Sequence, residues 1–304
     1  MFAVINNPAA GGGKNAALID RIEEMIKAHG ETCRIYRTSV EGDAAQCARQ
    51  AIQEGCTSVV CMGGDGTLGE TAGELCGKPV DFYIVPNGTG NDFARVFGLD
   101  KDPLTAFQEQ LDGLPIAIDC GRVNDRFFLN VAGSGFDVEV LRKTEELKAV
   151  YPGEKAYHKA VVSVLERYQA FEADLTLDDG KITHERVTII EIANGQYIGG
   201  GMRVAPDAML VDGYFLVVVV KMVPRVLIPL LLPLFVMGLH TKLPLARVVK
   251  ARKVNMRAPG MVVNLDGLLV KMDEARFEIL PGALHVRRPR KPARGLRDLK
   301  ENNA

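Results

Sequence analysis

The feature that most constrains the fold is the rhythm of the first 120 residues, where short apolar runs rich in branched side chains alternate with stretches of helical period. The runs are Phe2 to Asn6, Thr32 to Tyr36, Thr57 to Met62, Asp81 to Val85 and Ile116 to Cys120. Between the first two, Leu18, Ile19, Ile22, Met25 and Ile26 recur on one helical face, and Gly30 supplies a C-cap. The next helix starts near Asp43 as N-cap, carries Ala44, Ala48, Ala51 and Ile52 inward and stops at Gly55; a third opens just after Gly66. Strands separated by helices pair in parallel and are covered on both faces, so this half is expected to be a three-layer α/β domain with a mostly parallel sheet.

Beyond Cys120 the rhythm changes. Asp179-Gly180 joins Leu175–Leu177 to Val187–Ala193, and Asp266-Gly267 joins Met261–Leu265 to Leu268–Met272, both with hairpin chemistry. Clear helices are fewer, chiefly Lys155 to Ala170. The expectation is an antiparallel β-sandwich domain. A chain of 304 residues has room for two cores. We divide it into residues 1–120 and 121–286, with the tail 287–304 returning to the first domain.

Composition narrows the setting. With 37 basic against 38 acidic residues, nothing in the overall charge favours nucleic acid. Cys33, Cys47, Cys56, Cys61, Cys76 and Cys120 contain no C-x-x-C pair and read as free thiols in a reducing compartment. The start lacks the basic flank and apolar core of a signal peptide, and the run Val226–Leu239 is too short for a bilayer and holds Pro229 and Pro233. A cytoplasmic protein is expected. The tail groups Arg287, Arg288, Arg290, Lys291, Arg294, Arg297 and Lys300 against Asp298, either as a solvated end or as a contact for anionic lipid at the inner membrane surface.

Three segments at the carboxyl ends of expected strands carry the chemistry, the edge where open α/β sheets bind ligands. Asn7-Pro8-Ala9-Ala10-Gly11-Gly12-Gly13-Lys14 offers backbone N–H groups at a helix start, without the Walker A spacing. Its Gly11, Gly13 and Ala16 match Rossmann spacing, but Arg37 and Thr38 stand where a ribose-binding acid belongs. Gly63-Gly64-Asp65-Gly66-Thr67 surrounds one carboxylate and one hydroxyl with small residues, which suits phosphates with Asp65 toward magnesium or water; the plainer reading is a tight turn capped by Asp65. In Pro86-Asn87-Gly88-Thr89-Gly90-Asn91-Asp92-Phe93, Thr89 and its flanking glycines can close over a nucleotide, while Asn91 and Asp92 fix the loop or cap a helix.

Together these segments resemble the diacylglycerol kinase catalytic family, in particular the soluble bacterial lipid kinases, over almost the whole chain as far as Ile279-Leu280-Pro281-Gly282-Ala283. G-G-D-G occurs also in NAD kinases and phosphofructokinases; G-T-G-N-D-F selects lipid kinases. The resemblance implies an α/β nucleotide domain and a β-sandwich domain with ATP between them. It also implies ATP contacts at Asn7, Pro8 and Gly11, at Thr38, from Gly64 to Glu70 and at Thr89. A magnesium ion is implied on the loop Ala208–Tyr214, held by the carboxylate of Asp212 and the carbonyls of Met209 and Tyr214; the alternative there is a simple Asp212-Gly213 turn. The implied partners are ATP, a diacylglycerol-like membrane lipid and a second copy in a homodimer.

One departure bears on catalysis. Family members place a glutamate base directly after the Asp-Gly of a late hairpin, and here Asn264-Leu265-Asp266-Gly267 is followed by Leu268. A base contributes about 100-fold to 10,000-fold, less decisive in phosphoryl transfer than metal and orientation. Asp65 and Asp266 are the candidate substitutes. The leading expectation is a lipid kinase using Mg-ATP; the rivals are a non-catalytic nucleotide or lipid binder of the same fold and a NAD or small-molecule kinase. The segment Met222–Leu239 is expected to pack on the sandwich, with lining of the lipid entrance or membrane contact as the alternative.

Overall fold

The computed structural model describes residues 1–13, 15–151 and 154–290. In the first half β1 (Phe2–Asn6), α1 (Asn15–Ala28), β2 (Cys33–Arg37), α2 (Asp43–Gln53), β3 (Ser58–Gly63), α3 (Asp65–Leu75), β4 (Asp81–Pro86), α4 (Asp92–Phe97) and α5 (Pro103–Leu111) alternate as the rhythm predicts. The strands lie in the order β2-β1-β3-β4, all parallel. Both faces are covered. Val59 and Cys61 belong to one core with Ala48, Leu68, Ala72 and Phe93, whereas Val60 and Met62 belong to another with Ile22, Ile26 and Phe107. Successive strand residues point to opposite faces, so such a run is apolar throughout.

Two helix starts differ from expectation. α2 is capped by Gly42 at φ 91, and Asp43 is its first residue, accepting hydrogen bonds from the N–H groups of Ser39 (2.6 Å) and Val40 (3.0 Å). α3 begins at Asp65 with Gly64 as cap, so its first turn is the glycine loop itself.

The second half contains β5 (Leu114–Val123), β6 (Arg126–Phe128), β7 (Val131–Gly135), α6 (Phe136–Lys148), α7 (Glu154–Arg167), β8 (Phe171–Leu177), β9 (Thr183–Ala193), β10 (Phe215–Lys221), α8 (Ile228–Val236), β11 (Ala246–Ala251), β12 (Lys253–Leu265) and β13 (Leu268–Arg288). Pairing is antiparallel. β12 closes the sandwich by pairing with β8 over Val254–Arg257 and with β7 at Asn264 and Leu265, bending where its register shifts between Arg257 and Met261. Pro259 lacks the N–H that a continuous ladder needs, which places the bulge. Inside lie Phe128, Ile192, Phe215, Val217, Val254, Val263 and Phe277; on the outer face Ile189, Val218 and Val220 pack with α6, α7 and α8.

The two halves share one sheet. β13 pairs with β12 over Leu268–Glu278 and with β5 over Phe277–Arg288, and runs parallel to β4 at His285 and Val286. Arg287 and Arg290 donate to the carbonyls of Gly113 (2.9 Å) and Asp112 (2.8 Å) after α5. Lys291, Arg294, Arg297, Asp298 and Lys300 lie outside the described residues. All six cysteines are free thiols. Among the described residues no helix is long and apolar enough to cross a membrane.

Candidate active site

The three glycine segments meet at the carboxyl ends of β1, β3 and β4. The Asn7 N–H bonds the Met62 carbonyl (3.0 Å) and the Asn87 N–H bonds that of Gly63 (3.1 Å). Asn7 Nδ2 donates to Thr67 Oγ1 (3.0 Å), and Asn7 Oδ1 accepts from the Ala9 N–H (3.0 Å). A Cβ on Gly88 would stand 2.4 Å from Gly64 Cα, and one on Gly11 would stand 2.2 Å from Asn87 Oδ1. Only glycine allows the backbones this close. The first turn of α3 leaves N–H groups without intrahelical partners beside this cradle, which fits a chain of phosphates.

Other expected contacts have specific places. Thr38 is buried at the end of β2, its N–H on the Asn6 carbonyl (3.0 Å). Glu70 accepts from the N–H groups of Gly42 (3.0 Å) and Ala44 (3.2 Å), so its carboxylate caps α2. Pro8 lies in the turn after β1, and Thr89 is exposed at the rim. Asp65 Oδ1 accepts from the Phe93 N–H (3.1 Å), tying α3 to the start of α4. Asp65 Oδ2 lies 2.9 Å from where a Cβ on Gly90 would stand. Asn91, left-handed at φ 50, brackets Gly88 by accepting its N–H (2.8 Å) and donating to its carbonyl (2.9 Å).

Across the cleft, Asp266 sits left-handed at φ 50 in the β12–β13 turn. Its carboxylate accepts from the N–H groups of Leu129 (2.5 Å), Asn130 (3.0 Å) and Val131 (2.9 Å). Burial pushes its carboxyl up to about 7 against the lowering effect of these bonds, and the charge of Asp65 adds to the rise. Leu268 packs against the sandwich core that holds Phe128 and Phe277.

Between the halves lies a cavity of about 400 Å³. Asp65, Thr89, Asp92 and Asp266 line one part of it; Phe136, Val140, Ile189, Val220, Phe235 and Leu245 line the apolar remainder. Asp92 is buried, accepts from the Gly200 N–H of the second half (2.8 Å), and is raised to about 6 by burial and then by Asp65. Farther in, the carboxyls of Asp137 and Glu191 act on each other; burial raises both, Asp137 to about 6. Sequence reasoning did not single out Glu191 or Asp119, yet each is an acid inside an otherwise apolar strand run, which is a readable signal.

Asp119 is a buried clasp, accepting from the N–H groups of Gly213 (2.7 Å) and Gly282 (2.9 Å), and burial raises its carboxyl. In the neighbouring loop Asp212 Oδ2 accepts from Lys250 Nζ (2.6 Å) and Oδ1 from the Tyr214 N–H (3.1 Å). Met209 and Tyr214 are half-buried there. As folded, the loop presents an ion pair: its one carboxylate is committed to an ammonium. A magnesium ion held by Asp212 and the carbonyls of Met209 and Tyr214 would have to take the place of that ammonium. Among the described residues no group of three or more His, Cys, Asp or Glu is arranged to hold a metal.

A glycine cradle, carboxylates beside it and a deep apolar cavity make up the cleft. Comparison with known proteins gives the family to which this arrangement belongs. Residues 1–123 match the diacylglycerol kinase catalytic domain and residues 130–288 the YegS C-terminal NAD kinase beta sandwich-like domain. A diacylglycerol kinase of Mycobacterium tuberculosis is 30% identical over 301 residues, covering 94% of each chain. A protein of Pseudomonas fluorescens named "Probable lipid kinase YegS-like" is 33% identical over 276 residues, covering 88% of this chain and 89% of its own. The crystal structure of a diacylglycerol kinase from Bacillus anthracis superposes with a TM-score of 0.72 at 21% identity, over 94% of this chain and 96% of the other, a likeness of fold. The chain belongs to the lipid-kinase family that joins a diacylglycerol kinase catalytic domain to a YegS-type carboxyl-terminal domain. The expected fold class, α/β followed by a sandwich, holds.

Proposed function

We propose that this chain is an active kinase that transfers the γ-phosphoryl group of Mg-ATP to the hydroxyl of a diacylglycerol-like lipid. One observation carries the reading: the cavity lined by Phe136, Val140 and Phe235 is also lined by Asp65 and Asp266, beside the glycine cradle. In this reading residues 1–120 and the returning tail bind ATP, and 121–286 bind lipid. The cradle and the start of α3 hold the phosphates, and magnesium arriving with ATP neutralises charge on the transferred group. The apolar cavity takes the acyl chains and excludes water. Asp65, with Oδ1 anchored on the Phe93 N–H, uses Oδ2 to accept the lipid hydroxyl proton. Asp266 positions the hairpin against residues 129–131 and keeps a titrating charge near Asp65. The site belongs at the cytosolic face of a membrane.

Leu268 favours a second reading, a binder without turnover, because its side chain is committed to the sandwich core. Phosphate transfer from labelled Mg-ATP to diacylglycerol in mixed micelles separates the two. We expect native turnover that falls about 100-fold or more in Asp65→Ala. Turnover absent from the native chain and present only in Leu268→Glu would establish the binder.

A further inference from the structure

α8 is two-faced, and neither face is polar. Ile228, Leu231, Leu232 and Phe235, spaced i, i+3, i+4 and i+7, line the cavity from one side. On the other side Leu230 is 71% exposed and Val226, in the turn before the helix, 74%. Met222, Leu227, Met237 and Leu239 are exposed around them. A surface helix in water carries charged residues on its outer face, and a concentrated apolar patch marks an interface.

Charge identifies the occupant. From residue 213 to residue 265 there is no Asp or Glu, whereas Lys221, Arg225 and Lys242 are exposed at the two ends of the apolar segment. Along the chain the apolar face is flanked by cations alone, while Glu166, whose carbonyl accepts from Arg225, and Asp207, next to the Pro206 that meets Gly238, stand on neighbouring elements; the flanking cations fit an anionic lipid surface, where the stems lie on the apolar layer and the heads reach phosphates. The helix is too short to span and suits the interfacial layer. Pro229 sits in its first turn, where the missing N–H removes a donor that would otherwise need a partner in lipid. The tail begins elsewhere, with Arg290 bonded to the Asp112 carbonyl after α5.

We propose that α8 and its flanking turns are a docking face that seats on an anionic bilayer, so that lipid passes from the membrane into the cavity on the helix's inner side. The passage of substrate rests on the lipid-kinase reading; the docking itself does not. Co-sedimentation without nucleotide tests it, using vesicles of phosphatidylcholine alone or mixed with phosphatidylglycerol. The native chain is expected to pellet with the mixed vesicles, more weakly as salt rises, and a Val226→Glu/Leu230→Glu double variant to lose about tenfold or more in partitioning. Circular dichroism and turnover of a water-soluble short-chain diacylglycerol should be unchanged in the variant, which shows that the fold and the site are intact. Equal partitioning of variant and native chain overturns the proposal, as does a native chain that never pellets. So does a face that proves to join two copies, seen as a dimer that the double variant breaks while vesicle binding persists. Pelleting that persists without turnover of the soluble lipid contradicts the kinase reading alone and leaves the docking face standing.

Discussion

Asp266 shows how a single carboxyl can serve fold and site together. Its left-handed backbone makes the β12–β13 turn, and its side chain gathers the N–H groups of residues 129–131. Burial still leaves it near neutrality, at about 7. The presence of an acid at this hairpin tip was legible in the sequence, but its partners were not, because they lie across a turn of the fold. Glu70 gives the same lesson: its place after the glycine loop suggests the nucleotide, while its carboxylate caps α2. The glycines were the most legible residues, since a backbone contact leaves a direct mark in composition. Gly88→Ala puts a methyl 2.4 Å from Gly64 Cα. The loops must part, and calorimetry should show ATP affinity reduced about tenfold or more with the fold retained. Affinity equal to that of the native chain would place the nucleotide elsewhere.

At the scale of elements, β1 to β4 were readable to within one residue at either end, because a buried run is apolar throughout, whereas β5 runs three residues past the expected Cys120. α6 was not readable. Phe136, Val138 and Val140 alternate with Asp137 and Glu139 at strand period, and its cap is Gly135, which offers no side chain. α8 escaped a clear reading because its residues are apolar on all sides, so periodicity does not show which face is covered. In the sandwich, Phe277 is 2% exposed and meets Phe128 edge-on at 6.2 Å. Phe277→Ala should cost about 3–5 kcal/mol in urea unfolding. A loss below about 1 kcal/mol would show that the sandwich core does not depend on this contact.

Over the whole molecule, β13 makes the halves mechanically one, because the strand that pairs with β12 also extends the parallel sheet at β4. A single element shared between two patterns of pairing is hard to see in a sequence, where the change of partner leaves no mark beyond Pro281-Gly282 at the register shift. Burial also gives the molecule a pH signature. Asp92 and Asp137 are raised to about 6 and Asp266 to about 7. Each binds its proton more tightly folded than unfolded, so their contribution is favourable below the ordinary carboxyl range and is lost as pH rises from about 4 to about 7. Glu54 and Glu274, lowered to about 2 by their hydrogen bonds and ion pairs, work in the opposite sense only at lower pH, below about 4.5. Unfolding free energy should therefore decline between pH 5 and pH 7.5. A rise across that interval would contradict these burials. The cleft itself is tested most directly by where the γ-phosphate goes. With γ-labelled Mg-ATP and diacylglycerol in micelles, native chain should move label into the organic-soluble lipid, and Asp65→Ala should not. Label that appears only as inorganic phosphate, or only on a water-soluble acceptor such as NAD, would contradict a lipid kinase built on this cavity.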